Sequence, residues 1–252
     1  MILTHRTGLP SAKLLRDAIH IETGVRYLVT TRSERIRRLH LRYGASASVG
    51  CTDTDFNSPN FVALCSDKLA FASYFNNKFY MPTFIRDRQP TDDEFPIVIR
   101  RTLYGWGGKG IVMCPDRETF DSNWRGDYWT RFVKTEMEFR VHVLGGNIGR
   151  LFRKVRIIVD GVRPDEDEFP IRTFKSGNYR YSLWNDTNSF PSLTALVSEL
   201  SSDIEGKFFA LDVGKLPGKD EWFIFEANSA PGINQFTAQV YAKYLIEEGA
   251  VG

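Results

Sequence analysis

The sequence predicts an α+β protein in which a short α/β unit precedes a larger part built mostly on antiparallel sheet. Three observations carry this expectation. The chain opens on a strand–helix–strand pattern, its middle and end alternate apolar and polar residues with the period of a strand, and Gly-Gly-Asn and Pro-Gly-Lys-Asp turns join successive strands. At 252 residues the chain is long enough to bury a core without disulfides.

Ile2-Leu3-Thr4 reads as the first strand, and residues 11–21 as a helix with Ser11 as its N-cap and Leu14, Leu15, Ala18 and Ile19 as its apolar stripe. Residues 25–29 form the second strand of a small βαβ unit, followed by a basic helix over 33–42. The small and polar residues of 44–59 make a connector, which places a domain boundary near Asn60 and gives units 1–60 and 61–252. Beyond it, residues 66–79 have helical character, Pro82 begins a turn, and 95–100 is a strand running into a glycine-rich loop. Strands over 129–133 and 139–144 lead through Gly145-Gly146-Asn147 into 148–156. Leu193, Leu196, Val197 and Leu200 mark a helix over 191–204, and strands 208–213 and 222–227 close the pattern.

Hydrophobic and charged fractions of 42% and 25% are those of a folded globular protein, which excludes disorder and fibrous repeats. A net charge of +2 is too small to imply a polyanionic partner. The run Arg35, Arg37, Arg38, Arg42 reads first as a solvated helix face, with nucleic-acid contact as the alternative. Cys51, Cys65 and Cys114 are odd in number and lack a CxxC, so neither a disulfide framework nor a zinc site is signalled and a reducing cytoplasm fits. The N-terminus lacks the apolar core of a signal peptide, and no apolar run approaches the ~20 residues of a membrane span.

Chemistry concentrates in three segments. In the first, a strand ends in Arg100 and leads to Gly105, Gly107, Gly108, Lys109 and Gly110; glycine lets bare backbone N–H groups approach phosphate oxygens. The loop is neither G-x-x-x-x-G-K-[ST] nor G-x-G-x-x-G, and taken alone it reads equally as a structural hairpin. In the second, Glu226 and Asn228 lie two apart on a strand and present oxygens to one side, with Asp212 on the preceding strand; this suits a hard cation such as Mg²⁺, the alternative being ordinary turn and strand ends. In the third, alternation puts Glu138, Arg140 and His142 on one strand face, where Arg140 and Lys154 can meet a triphosphate or an acyl phosphate; surface charge is the alternative, and His142 reads as an inward or solvated residue rather than an acid–base catalyst.

The order of these segments resembles the ATP-grasp superfamily, and most closely its small members common in phage genomes. The likeness covers the chain from about Asn60 to the C-terminus, and its most specific piece is Glu226-x-Asn228-Ser229-x-Pro231-Gly232. It implies two α+β lobes clasping a nucleotide, a small lobe over 61–130 with the glycine loop and a large lobe over 131–252 with the metal site. By the same resemblance, Lys68 of Ser66-Asp67-Lys68 and Arg100, where many relatives have lysine, contact the nucleotide. Thr130, Arg131, Phe132 and Val133 form the linker whose backbone meets adenine, with Arg131 standing where glutamate is frequent. Asp212, Glu226 and Asn228 are the implied magnesium ligands, for one or two Mg²⁺ with Mn²⁺ as a substitute, and Arg140 and Lys154 the catalytic cations. Arg172 and Asn178 match a phage-type pattern of substrate or phosphate contacts.

What the resemblance implies is a ligase that transfers the γ-phosphoryl group of ATP to a carboxylate, then joins the acyl phosphate to an amine, releasing ADP and phosphate. Its substrates would be an amino acid, a peptide or a modified nucleotide, its place the cytoplasm, of a bacterial host if phage-encoded, and a homodimer is allowed by analogy. Two other readings stay open at this point, an ATP-grasp kinase and a nucleotide-binding module without turnover.

Overall fold

The computed structural model describes residues 2–4, 9–25, 29–30, 47–49, 57–103, 108, 110–158, 179–204, 206–229 and 231–248. Among them, three sheets organise the chain. The first is parallel, with β1 (Ile2–Thr4) between β2 (Val29–Thr30) and β3 (Ala47–Val49), and helix α1 (Leu9–Thr23) lies between β1 and β2 in sequence. Helix α1 starts two residues before the expected Ser11 cap. Pro10 fits its first turn because proline lacks only an N–H that this turn leaves unbonded, and the Ser11 hydroxyl instead accepts from the Ile233 N–H at 3.3 Å. The basic run Arg35–Arg42 and Cys51 lie outside the described residues.

The helix expected over 66–79 is α3 (Lys68–Phe75), and it is preceded by α2 (Pro59–Ser66), which lies where a connector and a domain boundary were expected. Asp67 divides them because its backbone is extended, at φ −111° and ψ 108°, and its carboxylate caps α3 by accepting from the N–H groups of Leu69 and Ala70 at 2.9 and 3.1 Å. The break puts Lys68 at the first position of a new helix.

The second sheet is antiparallel in the order β5-β4-β6, with β4 (Ile97–Arg100) between β5 (Ile111–Cys114) and β6 (Tyr128–Arg131). Ile97, Ile99, Cys114 and Trp129 turn one face toward Phe120 of α4 (Arg117–Asn123), a helix capped by Asp116. Strand alternation turns Val98, Arg100 and Thr130 to the opposite face.

The third sheet is antiparallel throughout, in the order β11-β10-β7-β8-β9. Its strands are β7 (Met137–Leu144), β8 (Asn147–Arg156), β9 (Tyr179–Trp184), β10 (Phe208–Lys215) and β11 (Trp222–Asn228). Gly145 and Gly146, at φ 54° and 81°, make the expected two-residue turn between β7 and β8. One face carries Phe139, Val141, Val143, Leu151, Leu211 and Ile224, and it packs on Phe61, Phe71, Phe75 and the apolar stripe Leu193, Val197, Leu200 of α5 (Pro191–Ser202). Because side chains alternate, Glu138, Arg140, Lys154, Asp212 and Glu226 all stand on the other face.

A final helix, α6 (Gln235–Glu247), was not anticipated, although Ala238, Tyr241, Ala242 and Leu245 recur at helical spacing. It packs these residues against Ala12, Leu15, Ala18 and Ile19 of α1 and against Leu144 and Phe208, joining the N-terminal unit to the large sheet.

Asn57 locks this assembly from the inside. Its buried amide donates to the Phe208 carbonyl at 2.8 Å and accepts from the Lys207 and Phe208 N–H groups at 3.0 and 3.2 Å. Asn57→Ala leaves these backbone groups unsatisfied, and urea unfolding is expected to show a loss of about 2–3 kcal/mol.

Candidate functional site

Register builds the site. Asp212 lies directly opposite Arg140 on one side and Glu226 on the other, so the three side chains form a row across β7, β10 and β11. Arg140 grips Asp212 with two parallel bonds, Nε to Oδ1 at 2.8 Å and Nη2 to Oδ2 at 2.6 Å. Such a fork on a carboxylate is the strongest common side-chain pair. One row away, Lys154 Nζ lies 3.3 Å from Glu138 Oε2, and the Thr135 hydroxyl donates to Glu138 Oε1 at 3.2 Å. Tyr181 of β9 closes that side, its ring 5.0 Å beneath the Arg140 guanidinium.

The charges decide each other's state. Burial alone would make Asp212 harder to ionise, but the charges of Arg140 and Lys154 overcome it and hold the carboxyl well below its usual range. Burial likewise opposes the charge on Arg140 and on Lys154; at Arg140 it is outweighed mainly by the charge and hydrogen bonds of Asp212, and at Lys154 by the charges of Asp212, Glu138 and Glu226 together. Burial pushes the Tyr181 phenol above its ordinary range, so it stays protonated.

Two cations from outside the large sheet join this face. Lys68, at the start of α3, reaches Glu226 Oε2 at 3.1 Å. Arg100, at the end of β4, is depressed by burial while the charge of Glu226 works to hold it protonated, and its Nε is buried without a hydrogen-bond partner among the described residues. The Arg101 N–H then bonds the Gly110 carbonyl at 2.8 Å, and Gly108 and Gly110 both sit at φ +74°, a conformation that favours glycine. Gly105, Gly107, Lys109, Arg172 and Asn178 lie outside the described residues. Thr130 is buried on the face of β6 that carries Arg100's side of the sheet, and Phe132 and Val133 begin the connection to β7. The Arg131 side chain points the opposite way and pairs with Glu94 at 3.2 Å.

Among the described residues, no group of three His, Cys, Asp or Glu side chains is arranged to hold a metal. The expected ligand set is instead two carboxylates and an amide. Asp212 and Glu226 stand directly opposite each other across β10 and β11, and the Asn228 amide lies 3.5 Å from Glu226 Oε1. Two converging anionic oxygens beside a neutral one are the hard-donor chemistry that Mg²⁺ takes, so the residues present fit that ion.

No family model matches the chain, and no curated protein matches its sequence. Solved structures do resemble it. D-alanine–D-alanine ligase from Bacillus anthracis aligns with a TM-score of 0.66 at 10% identity, covering 98% of this chain and 95% of that one. The ATP-grasp ligase PsnB bound to a minimal precursor aligns at 0.64 and 11% identity, covering 98% of each chain. The chain has the ATP-grasp fold. The macrocyclase MdnC from Microcystis aeruginosa MRC, bound to its precursor peptide MdnA, is similar at 0.60 and 11% identity over 98% of this chain and 99% of that one. The face carrying Arg140, Asp212 and Glu226 is the one that Lys68 reaches from the start of α3 and that Arg100 faces from the end of β4.

Sequence reasoning paired Glu138 with Arg140 by alternation but did not foresee Tyr181 or Thr135 beside them, since neither residue type in isolation signals a site. His142 is an inward residue. It is buried, its Nδ1 lies 3.0 Å from the Tyr241 hydroxyl, and burial, with help from the charge of Arg140, depresses its pKa to about 3. A histidine held neutral in the fold but free to protonate in the unfolded chain stabilises fully above the unfolded pKa of about 6.5, and that stability falls away as pH drops toward the folded value. Urea unfolding at pH 7 and pH 5 is expected to show wild type losing about 1 kcal/mol more per pH unit than His142→Gln.

Proposed function

We propose that the chain is an ATP-dependent, ADP-forming ligase that joins a carboxylate to an amine. The observation that carries this reading is the row Arg140, Asp212 and Glu226, with Lys154 beside it, Lys68 reaching it from the start of α3 and Arg100 facing it from the end of β4. Paired hard-oxygen ligands ringed by four cations suit a metal-bound triphosphate and the charge that develops as its terminal phosphoryl group moves. The neighbours support the class of reaction. One is named as joining two alanines, and PsnB structures hold a precursor with Mg and ADP. Precursor peptides in PsnB and MdnC favour an amino acid or peptide among the possible substrates.

In this reading Asp212, Glu226 and Asn228 hold Mg²⁺, which when bound neutralises phosphate oxygens and orients the γ-phosphate. Lys68 and Arg100 bind the nucleotide's phosphates, and the glycine segment with Gly105, Gly107, Gly108, Lys109 and Gly110 covers them. A carboxylate oxygen attacks the γ-phosphorus and ADP leaves; an amine then attacks the acyl carbon and phosphate leaves, its nitrogen giving up a proton. Lys154 balances charge in the first step, and Arg140 offers donors to the oxyanion of the second. The linker Thr130–Val133 holds the base, and Arg172 and Asn178 contact substrate or phosphate.

The test is incubation with Mg-ATP and pooled amino acids, polyamines and short peptides, reading ADP, phosphate and product mass. A product one water lighter than the sum of its parts, formed with stoichiometric ADP and lost in Glu226→Ala, is expected; a product that gains phosphate would make the protein a kinase instead. Lys154→Met should keep its fold, since Glu138 retains the Thr135 bond, and lower kcat by roughly 10²- to 10³-fold.

A further inference from the structure

A segment outside the cleft grips the linker. Glu94 ends a short 3₁₀ turn (Asp92–Glu94), is only 6% exposed, and collects five hydrogen bonds. Arg88 supplies two at 2.7 Å each, the Thr91 N–H and hydroxyl supply bonds of 2.8 and 3.1 Å, and Arg131 supplies one at 3.2 Å. Nothing in the proposed chemistry uses Glu94, and this cluster holds its carboxyl well below the usual range, Arg88 contributing most. Arg88 also engages Trp129: its guanidinium lies 5.1 Å from the indole ring, and its carbonyl accepts from the indole N–H at 2.9 Å. The two side chains that β6 turns away from Arg100's face, the buried Trp129 and the exposed Arg131, are therefore both tied to residues 88–94.

The backbone shows what this tie orients. Trp129 exchanges both its backbone bonds with Ile85, at 2.9 Å each, so its N–H and C=O point away from β4. Two residues on, the alternation of an antiparallel pair turns the Arg131 N–H and C=O the same way, and the Phe132 N–H confirms the phase by bonding back to the Pro96 carbonyl at 3.0 Å. Past the Ile85 bridge, Arg131 thus offers its backbone groups at a sheet edge where no described residue takes them up.

We propose that Glu94 is a positioning residue for nucleotide choice. By holding the Arg131 side chain on the outer face of β6, it fixes the Arg131 carbonyl, with the Val133 N–H next along the linker, as an acceptor–donor edge. That edge matches a base presenting an amino donor beside a ring-nitrogen acceptor, as adenine does, and it opposes guanine, which reverses both. This inference rests on the reading of the cleft as an ATP site.

The test measures Kd for the non-hydrolysable analogues AMPPNP and GMPPNP, with Mg²⁺, by titration calorimetry, and Tm by circular dichroism. Wild type, Glu94→Gln, Arg131→Met and the double variant are compared. Wild type is expected to prefer AMPPNP at least tenfold. Each single variant is expected to weaken AMPPNP binding about five- to tenfold and to shrink the preference, and the double variant should be no worse than either, because both break one link. Arg131→Met keeps the experiment decisive if Glu94→Gln fails to fold, since its side chain is 61% exposed. A lowered Tm with affinity and preference unchanged would make Glu94 a purely structural residue and overturn the proposal. Binding of neither analogue by wild type would instead sink the ATP reading, and this inference with it.

Discussion

The Arg140–Asp212 pair sits at the middle of the large sheet, and the surrounding arrangement depends on it. Removing either partner would strand a charge on a face where the remaining groups are nearly dry, and breaking such a pair costs roughly 3–5 kcal/mol. Asp212, with Glu138 and Glu226, keeps Lys154 protonated against its burial, and the cations Arg140 and Lys68 allow the second carboxylate, Glu226, directly opposite Asp212. A site of this kind is poor at stabilising a fold for its own sake. It keeps charges of both signs concentrated and already oriented, so that a multiply charged ligand meets groups that need little reorganisation.

Local devices bring two further cations, Lys68 and Arg100, onto that face. Asp67 ends one helix and caps the next, which sets Lys68 on the first turn of α3 within reach of Glu226. Alternation along β4 turns Ile97 and Ile99 into the core around Phe120 and leaves Arg100 on the opposite face. The contributions of Lys68 and Arg100 thus follow from one cap and one strand phase, both short-range properties of the chain.

Much of this was legible in the sequence because it rests on period and punctuation. Four of the large sheet's five strands, the Gly145-Gly146 turn and the sharing of one strand face by Glu138 and Arg140 follow from period and turn signals, whereas β9 (Tyr179–Trp184) was not foreseen. What escaped was decided by contacts between distant segments. Helix α4 has Phe120 alone as its buried residue and so no stripe to read, and the break at Asp67 looks like ordinary helix sequence until the cap bonds are seen. Ser11 is a good capping residue that was not needed as one, since Pro10 already fits the first turn and the hydroxyl found Ile233 instead. Arg131 looked like an odd substitution because its partner, Glu94, lies 37 residues earlier.

The packing of α1 on α6 gives the N-terminal unit a role beyond its own small sheet. α6 directly follows the strand that carries Glu226 and Asn228, and its Tyr241 touches His142, one alternation along β7 from Arg140. An exchange of the first fifty or so residues for those of a relative would therefore not be modular: unless the graft kept small and branched apolar side chains at the positions of Ala12, Leu15, Ala18 and Ile19, it would strip one wall from the helix that backs the reactive face. Evolution of new specificity through this unit would have to run through its loops and leave that seam alone.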